Sequence, residues 1–139
     1  MIKENDLASM HEDLETHVER LVTFLQQVDM DNVGAFLEVE TRTDKEALMA
    51  AMVWSQRRAA EGVDRLVIML DNFTPEQCKT VNEQMEDQGV REHVVLEASG
   101  GIVFKDLKSW HECGLDVVST SVVNRGVSPL DMNMLVKGL

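Results

Sequence analysis

The chain has 139 residues, with 25 acidic and 13 basic side chains and a net charge of -12 at pH 7. Its composition, 44% hydrophobic and 27% charged residues, is that of a globular protein and disfavours a collagen-like or low-complexity chain. The acidic balance argues against nucleic-acid binding and against an anionic membrane surface, since both require clustered basic residues. A complete eight-stranded β/α barrel takes about 250 residues, so this chain is too short to form one.

Two cysteines, Cys78 and Cys113, are present without CxxC spacing, and the N-terminus lacks the pattern of a secretory signal peptide. The longest apolar stretches, such as residues 66–70, are far shorter than the ~20 residues that cross a membrane. We therefore expect no membrane insertion. Free cysteines are typical of an intracellular protein, cytoplasmic by default, with an organelle as the alternative location.

Short apolar runs alternate with longer amphipathic runs, which is typical of β/α units stacked on a parallel sheet. The pattern predicts an α/β fold of about five units, with a truncated first strand at residues 1–5 and a helix at 9–28. The later strands are predicted at 35–41, 65–70, 93–98 and 116–120, and the later helices at 44–61, 74–89, 104–113 and from 128 onward. Thr74, Pro75 and Gln77 form a capping pattern that predicts where the third helix begins.

Polar side chains stand at the C-terminal ends of all five predicted strands. They are Lys3 and Asn5, Glu38 and Glu40, Asp71 and Asn72, Glu97 and Ser99, and Ser119 and Ser121. A neighbouring loop amide is the ordinary partner for any one of them. Ligands bind at the carboxyl ends of parallel strands, however, so the whole set favours a binding site.

The chemistry of this set suggests an anionic, phosphorylated ligand together with a divalent cation. Glu38 and Glu40 are two residues apart, so they lie on the same face of their strand and require a cation, water or a ligand nearby. The glycines of the turn Ser99, Gly100 and Gly101 allow close backbone approach to a phosphate, although a plain strand-to-helix turn explains them equally well.

Four motifs occur in order at β/α spacing: residues 2–5 (IKEN), 37–43 (LEVETRT), 68–72 (IMLDN) and 96–102 (LEASGGI). Together with 114–119 (GLDVVS) and 128–132 (SPLDM), they closely resemble the C-terminal barrel domain of the quinolinate phosphoribosyltransferases, also called nicotinate-nucleotide pyrophosphorylases (carboxylating). The resemblance implies that residues 1–139 form the later part of a TIM-like β/α barrel. The family's N-terminal domain and first barrel strands are expected to be absent from this sequence.

The resemblance implies transfer of a phosphoribosyl group from PRPP to quinolinate, giving nicotinate mononucleotide, pyrophosphate and CO2 in NAD biosynthesis, with Mg2+ bound through PRPP. Lys3, Glu40 and Asp71 would be the catalytic residues, and Glu40 and Asp71 would face the metal. The residues that would bind the substrate or its phosphate are Asn5, Glu38, Asn72, Ser99, Gly100, Gly101 and Ser121. A homo-oligomer or a second chain would complete the barrel.

Departures from the family pattern support an alternative interpretation. Asp6 stands where the family usually has histidine, and Ser121 stands where it has a glycine in the last phosphate loop. A side chain at that second position would hinder close approach to a phosphate. The alternative is a catalytically inactive paralogue that serves as a structural or interaction subunit, and a fragment of a longer enzyme is the third possibility.

Overall fold

Four parallel strands form the sheet in a computed structural model that describes residues 1–125. The strands are β1 (Glu38–Thr41), β2 (Leu66–Asp71), β3 (Val94–Ser99) and β4 (Val117–Val118), and their order in the sheet is their order in the chain. The later four predicted strands are thus confirmed, although β4 is shorter than expected. The last predicted helix and the motif at 128–132 lie outside the described residues.

The predicted first strand is present only as a single bridge between Ile2 and Val39. Ile2 N–H donates to the Glu38 carbonyl at 2.8 Å, and Glu40 N–H donates to the Ile2 carbonyl at 3.0 Å. The chain then turns directly into a helix, because Lys3 N–H donates to the Asp6 carboxylate at 2.8 Å at the helix N-terminus. Lys3 is therefore held beside β1 even though no full strand precedes it.

Six α-helices occur among residues 1–125: α1 (Glu4–Met10), α2 (His17–Gln27), α3 (Asp44–Glu61), α4 (Pro75–Asp87), α5 (Leu107–Trp110) and α6 (Val122–Arg125). The single helix predicted over 9–28 was wrong. Thr16 and Glu19 form a capping box, with Thr16 Oγ1 accepting from Glu19 N–H at 3.2 Å, and this starts a separate helix at His17. The helix predicted over 104–113 is a 3-10 turn (Phe104–Asp106) followed by the short α5.

One face of the sheet packs against the helices. Leu66, Ile68 and Leu70 of β2 are fully buried and join a core cluster with helical residues, among them Trp54 of α3 and Met85 of α4. Alternate residues of each strand point to this face. In residues 1–125, no helix is long and apolar enough to cross a membrane, as expected.

The opposite face of the sheet carries the polar residues. Glu40 pairs in register with Met69, which pairs with Glu97, and Asp71 pairs with Ser99, so these side chains point to the same face. Met69 is buried yet lies outside the core cluster. This face therefore brings the strand-end side chains together.

Candidate functional site

Glu40 is the most buried ionisable residue of the candidate site, with 4% of its surface exposed. Each of its carboxylate oxygens has a cationic partner: Lys3 Nζ lies 3.0 Å from Oε2, and Arg42 Nη2 lies 3.1 Å from Oε1. The Glu40 carboxylate raises the pKa of Lys3 through this hydrogen bond and through its charge. The two cations offset the cost of burying the negative charge.

Asp71 ends β2 on the same side of the sheet as Glu40. Its Oδ2 lies 4.0 Å from Arg42 Nε and accepts a hydrogen bond from Asn72 Nδ2 at 2.9 Å. Arg42 thus lies between the carboxylates of Glu40 and Asp71. The structure brings together Lys3, Glu40 and Asp71, the three residues that the family resemblance implied to be catalytic.

Asn72 connects this carboxylate pair to the glycine turn. Its N–H donates to the Ser99 carbonyl at 2.8 Å, and its backbone is left-handed, with φ of 60°. Gly100 packs so closely on it that an added Cβ would lie 2.9 Å from Asn72 N. The close contact with Asn72 therefore leaves no room for a side chain at position 100. At position 101, by contrast, an added Cβ would meet open space.

A cavity of about 390 Å³ lies beside the glycine turn, between β3 and the segment that follows β4. Four of its nine described lining residues carry hydroxyls, two are glycines and none is ionisable, a lining that suits an anion. Ser121 is among the residues that line this cavity, and its side chain is exposed. The lining residues are Ser99, Gly100, Gly101, Ile102, Val103, Ser119, Thr120, Ser121 and Val122.

Asn5 and Glu38 make no hydrogen bond or ion pair with Lys3, Glu40 or Asp71 among the described residues. Asn5 lies in α1 with an exposed side chain, because the expected strand is replaced by the helix that begins at Glu4. Glu38 lies two residues further than Glu40 from the C-terminal end of β1, and it is half-buried. Desolvation, and then the charge of Glu97, raises the pKa of Glu38. Asn5 and Glu38 therefore remain predictions that no described contact with the other site residues supports.

Three further residues contribute to the arrangement: Arg42 and Thr120 were not predicted, and Ser119 was predicted only as a strand-end polar residue. Arg42 bridges the carboxylates, and its position two residues after Glu40 is the sequence signal that could have identified it. Ser119 Oγ donates to Glu97, and Thr120 Oγ1 donates to the Ile102 carbonyl. These two hydrogen bonds hold the segment after β4 against β3 and against the segment that follows the glycine turn, and nothing in the sequence indicated either pairing.

The site offers few ligands to a metal by itself. Within the part of the chain that the structure describes, no group of three or more His, Cys, Asp or Glu side chains is placed to hold a metal ion. Glu40 and Asp71 provide two carboxylates on one face of the sheet. This donor set fits Mg2+, which keeps several waters and takes one or two carboxylates plus phosphate oxygens of a substrate.

Comparisons with known proteins agree on one family. Residues 1–135 match the family model described as the quinolinate phosphoribosyl transferase C-terminal domain. A probable nicotinate-nucleotide pyrophosphorylase (carboxylating) of Methanothermobacter thermautotrophicus is 30% identical over 141 residues, covering 100% of this chain and 44% of that protein. The corresponding protein of Archaeoglobus fulgidus is 32% identical over 100 residues, covering 72% of this chain and 35% of that protein.

A solved structure shows the same fold. The nicotinate-nucleotide pyrophosphorylase of Francisella tularensis superposes with a TM-score of 0.56 at 24% identity, covering 87% of this chain and 34% of that one. This likeness and the parallel sheet confirm the predicted fold class, parallel β/α units forming part of a β/α barrel. The chain spans less than half the length of the relatives it matches.

Proposed function

The chain belongs to the quinolinate phosphoribosyl transferase C-terminal domain family, and from this membership we propose that it supplies the catalytic barrel portion for phosphoribosyl transfer from PRPP to quinolinate. The products would be nicotinate mononucleotide, pyrophosphate and CO2. The observation that carries the proposal is the position of the Lys3, Glu40 and Asp71 cluster next to a hydroxyl- and amide-lined cavity, both at the carboxyl ends of the strands. Relatives named for this activity support it.

The proposed reaction breaks the bond between C1 of the ribose and the pyrophosphate. Positive charge develops on the ribose ring as the bond breaks, and a preorganised carboxylate stabilises such charge. Glu40 is suited to this role because it is buried and Lys3 holds one of its carboxylate oxygens. Mg2+, when bound through PRPP, would offset the charge on the leaving pyrophosphate, and Glu40 and Asp71 would hold it.

The remaining residues would bind and orient the substrates. Lys3, 53% exposed at its side chain, provides a cation beside Glu40 for an anionic substrate. The turn of Ser99, Gly100 and Gly101 would hold the 5'-phosphate in the neighbouring cavity. A second copy or another chain would cover the polar face of the sheet and complete the quinolinate site.

Product formation by the purified protein tests the proposal. Nicotinate mononucleotide should appear, by chromatography, only when PRPP, quinolinate and Mg2+ are all supplied. Asp71→Asn should reduce kcat/KM at least 100-fold, as for other groups aimed at developing charge. Asp87→Asn is the matched control, because Asp87 is an exposed residue at the C-terminal end of α4 and the substitution removes the same charge.

Ligand binding separates the proposal from the inactive alternative. PRPP with Mg2+ should raise the melting temperature of the wild-type protein, since a ligand that binds only the folded state stabilises it. No product and no thermal shift with PRPP, Mg2+ and quinolinate together would contradict the proposal. Binding without product would favour the inactive paralogue.

A further inference from the structure

Arg42 makes a set of contacts that the proposed reaction does not require. Its guanidinium reaches three carboxylates: Glu4, Glu40 at 3.1 Å and Asp71 at 4.0 Å. The Arg42 side chain is 53% exposed, so it can leave this position without opening the core. Its contacts are therefore exchangeable, in contrast to the buried Glu40 that it touches.

Departure of Arg42 would affect the two carboxylate oxygens of Glu40 differently. Oε2 keeps Lys3 at 3.0 Å, whereas Oε1 loses its cation. A carboxylate buried to this extent requires a new partner at that oxygen. A divalent cation shared by Glu40 and Asp71 would occupy the side of the pair that Arg42 occupies now.

We propose that Arg42 is a resident counter-cation that competes with the divalent metal for Glu40 and Asp71. Because of this competition, the site binds the metal mainly when the metal is already coordinated to a pyrophosphate group. The pyrophosphate then provides a new anionic partner for the displaced guanidinium of Arg42. Arginine suits this exchange since its planar fork binds carboxylates and phosphates alike. The pyrophosphate half of the inference rests on the proposed function, and the competition with metal alone does not.

Glu4 modulates how strongly Arg42 competes with the metal, although it is not one of the two carboxylates of the Glu40 and Asp71 pair. Its side chain is 43% exposed and contacts Arg42 but neither Glu40 nor Asp71. Arg42 contacts Glu4 through Nη1 and Glu40 through Nη2, so the two carboxylates share its positive charge. Removing the Glu4 charge should therefore leave Arg42 more firmly on Glu40 and Asp71, which gives a variant with an effect opposite in sign to removal of Arg42.

Metal binding without substrate tests the competition directly. Mn2+ serves as the probe, and its binding to the purified protein is followed by electron paramagnetic resonance. Arg42→Gln should bind Mn2+ roughly fivefold more tightly than wild type, the factor expected for loss of one exposed ion pair. Arg42→Lys should stay near wild type, and Glu4→Gln should bind more weakly.

Arg42→Gln should have the opposite effect on the binding of inorganic pyrophosphate. With Mg2+ present, Arg42→Gln should bind pyrophosphate more weakly than wild type, because the displaced guanidinium is missing. Lys79→Gln removes one positive charge away from the site and should leave both measurements unchanged. Asp71→Asn in the Arg42→Gln background should cancel the gain in Mn2+ binding.

Several outcomes would overturn the inference. Equal or weaker Mn2+ binding by Arg42→Gln would do so, and so would an equal gain in Lys79→Gln, which would reduce the effect to net charge. Should Arg42→Gln fail to fold by circular dichroism, tighter or unchanged Mn2+ binding by Glu4→Gln would decide against it. Failure of the proposed function appears separately, as absence of product while the Mn2+ pattern persists.

Discussion

Replacement of Gly100 by alanine tests how the glycine turn is built. Gly100 has φ of +102°, a conformation that residues with a Cβ rarely adopt. Its added Cβ would lie 2.8 Å from Asn72 Cγ and 2.9 Å from Asn72 N. The side-chain atom can move, but the backbone nitrogen is held by its hydrogen bond to the Ser99 carbonyl, so the substitution has to displace the turn or the end of β2.

The expected loss of stability follows from these two costs. The unfavourable backbone conformation costs about 1–2 kcal/mol, and overpacking against a fixed backbone costs about 1–3 kcal/mol. We expect Gly100→Ala to lower the free energy of unfolding by about 2–5 kcal/mol, the sum of these two costs. Gly101→Ala is the matched control, because Gly101 also has positive φ, +64°, but has open space where the Cβ would lie. It should cost only about 1–2 kcal/mol.

Urea denaturation followed by tryptophan fluorescence measures both variants. Adding Asn72→Gly to Gly100→Ala should recover part of the loss, since it removes the side-chain contact and leaves the contact with Asn72 N. Equal destabilisation by Gly100→Ala and Gly101→Ala would refute the close contact between the turn and Asn72. The glycine would then be explained by its backbone conformation alone.

Two further predictions concern stability. Burial and the charge of Glu97 raise the pKa of Glu38 in the folded state, so the folded state favours the protonated carboxyl more than the unfolded state does. The stability that this group contributes is therefore lost as the pH rises from its pKa in the unfolded chain through its pKa in the folded protein. Glu38→Gln should therefore raise the melting temperature at pH 7 and have a much smaller effect at pH 4; the same shift at both pH values would contradict the assignment. Thr74 Oγ1 accepts from Gln77 N–H at 3.3 Å, so Thr74→Ala should cost about 1 kcal/mol in urea denaturation, against no loss for the non-capping, exposed Thr80→Ala.

The sequence determined the elements whose signals are local. The Thr74, Pro75 and Gln77 pattern places the start of α4 correctly, because a helix cap is formed by residues within one turn. The apolar runs of β2 and β3 are found where predicted, since strands covered by helices need buried side chains at alternate positions. The alternation also put Glu38 and Glu40 on one face, as the register confirms.

The same local reasoning failed where a helix N-cap lies inside a continuous helical periodicity of apolar residues. Residues 9–28 have helical periodicity, but Thr16 and Glu19 begin a new helix within it. The strand expected at residues 1–5 needs hydrogen bonds along its whole length, and only Ile2 finds them on β1. Asp6, which stands where the family usually has histidine, caps α1.

Residue types and their order were sufficient to determine the family, the parallel β/α arrangement and the strand ends that carry Glu40 and Asp71. Tertiary structure alone decided that Arg42 lies between the two carboxylates and that Gly100 packs on Asn72. Both contacts depend on the register between strands and on the path of loops after them. The physical reason is that periodicity specifies which face a side chain takes, whereas the distances that set charge pairing and close packing arise only when separate segments meet.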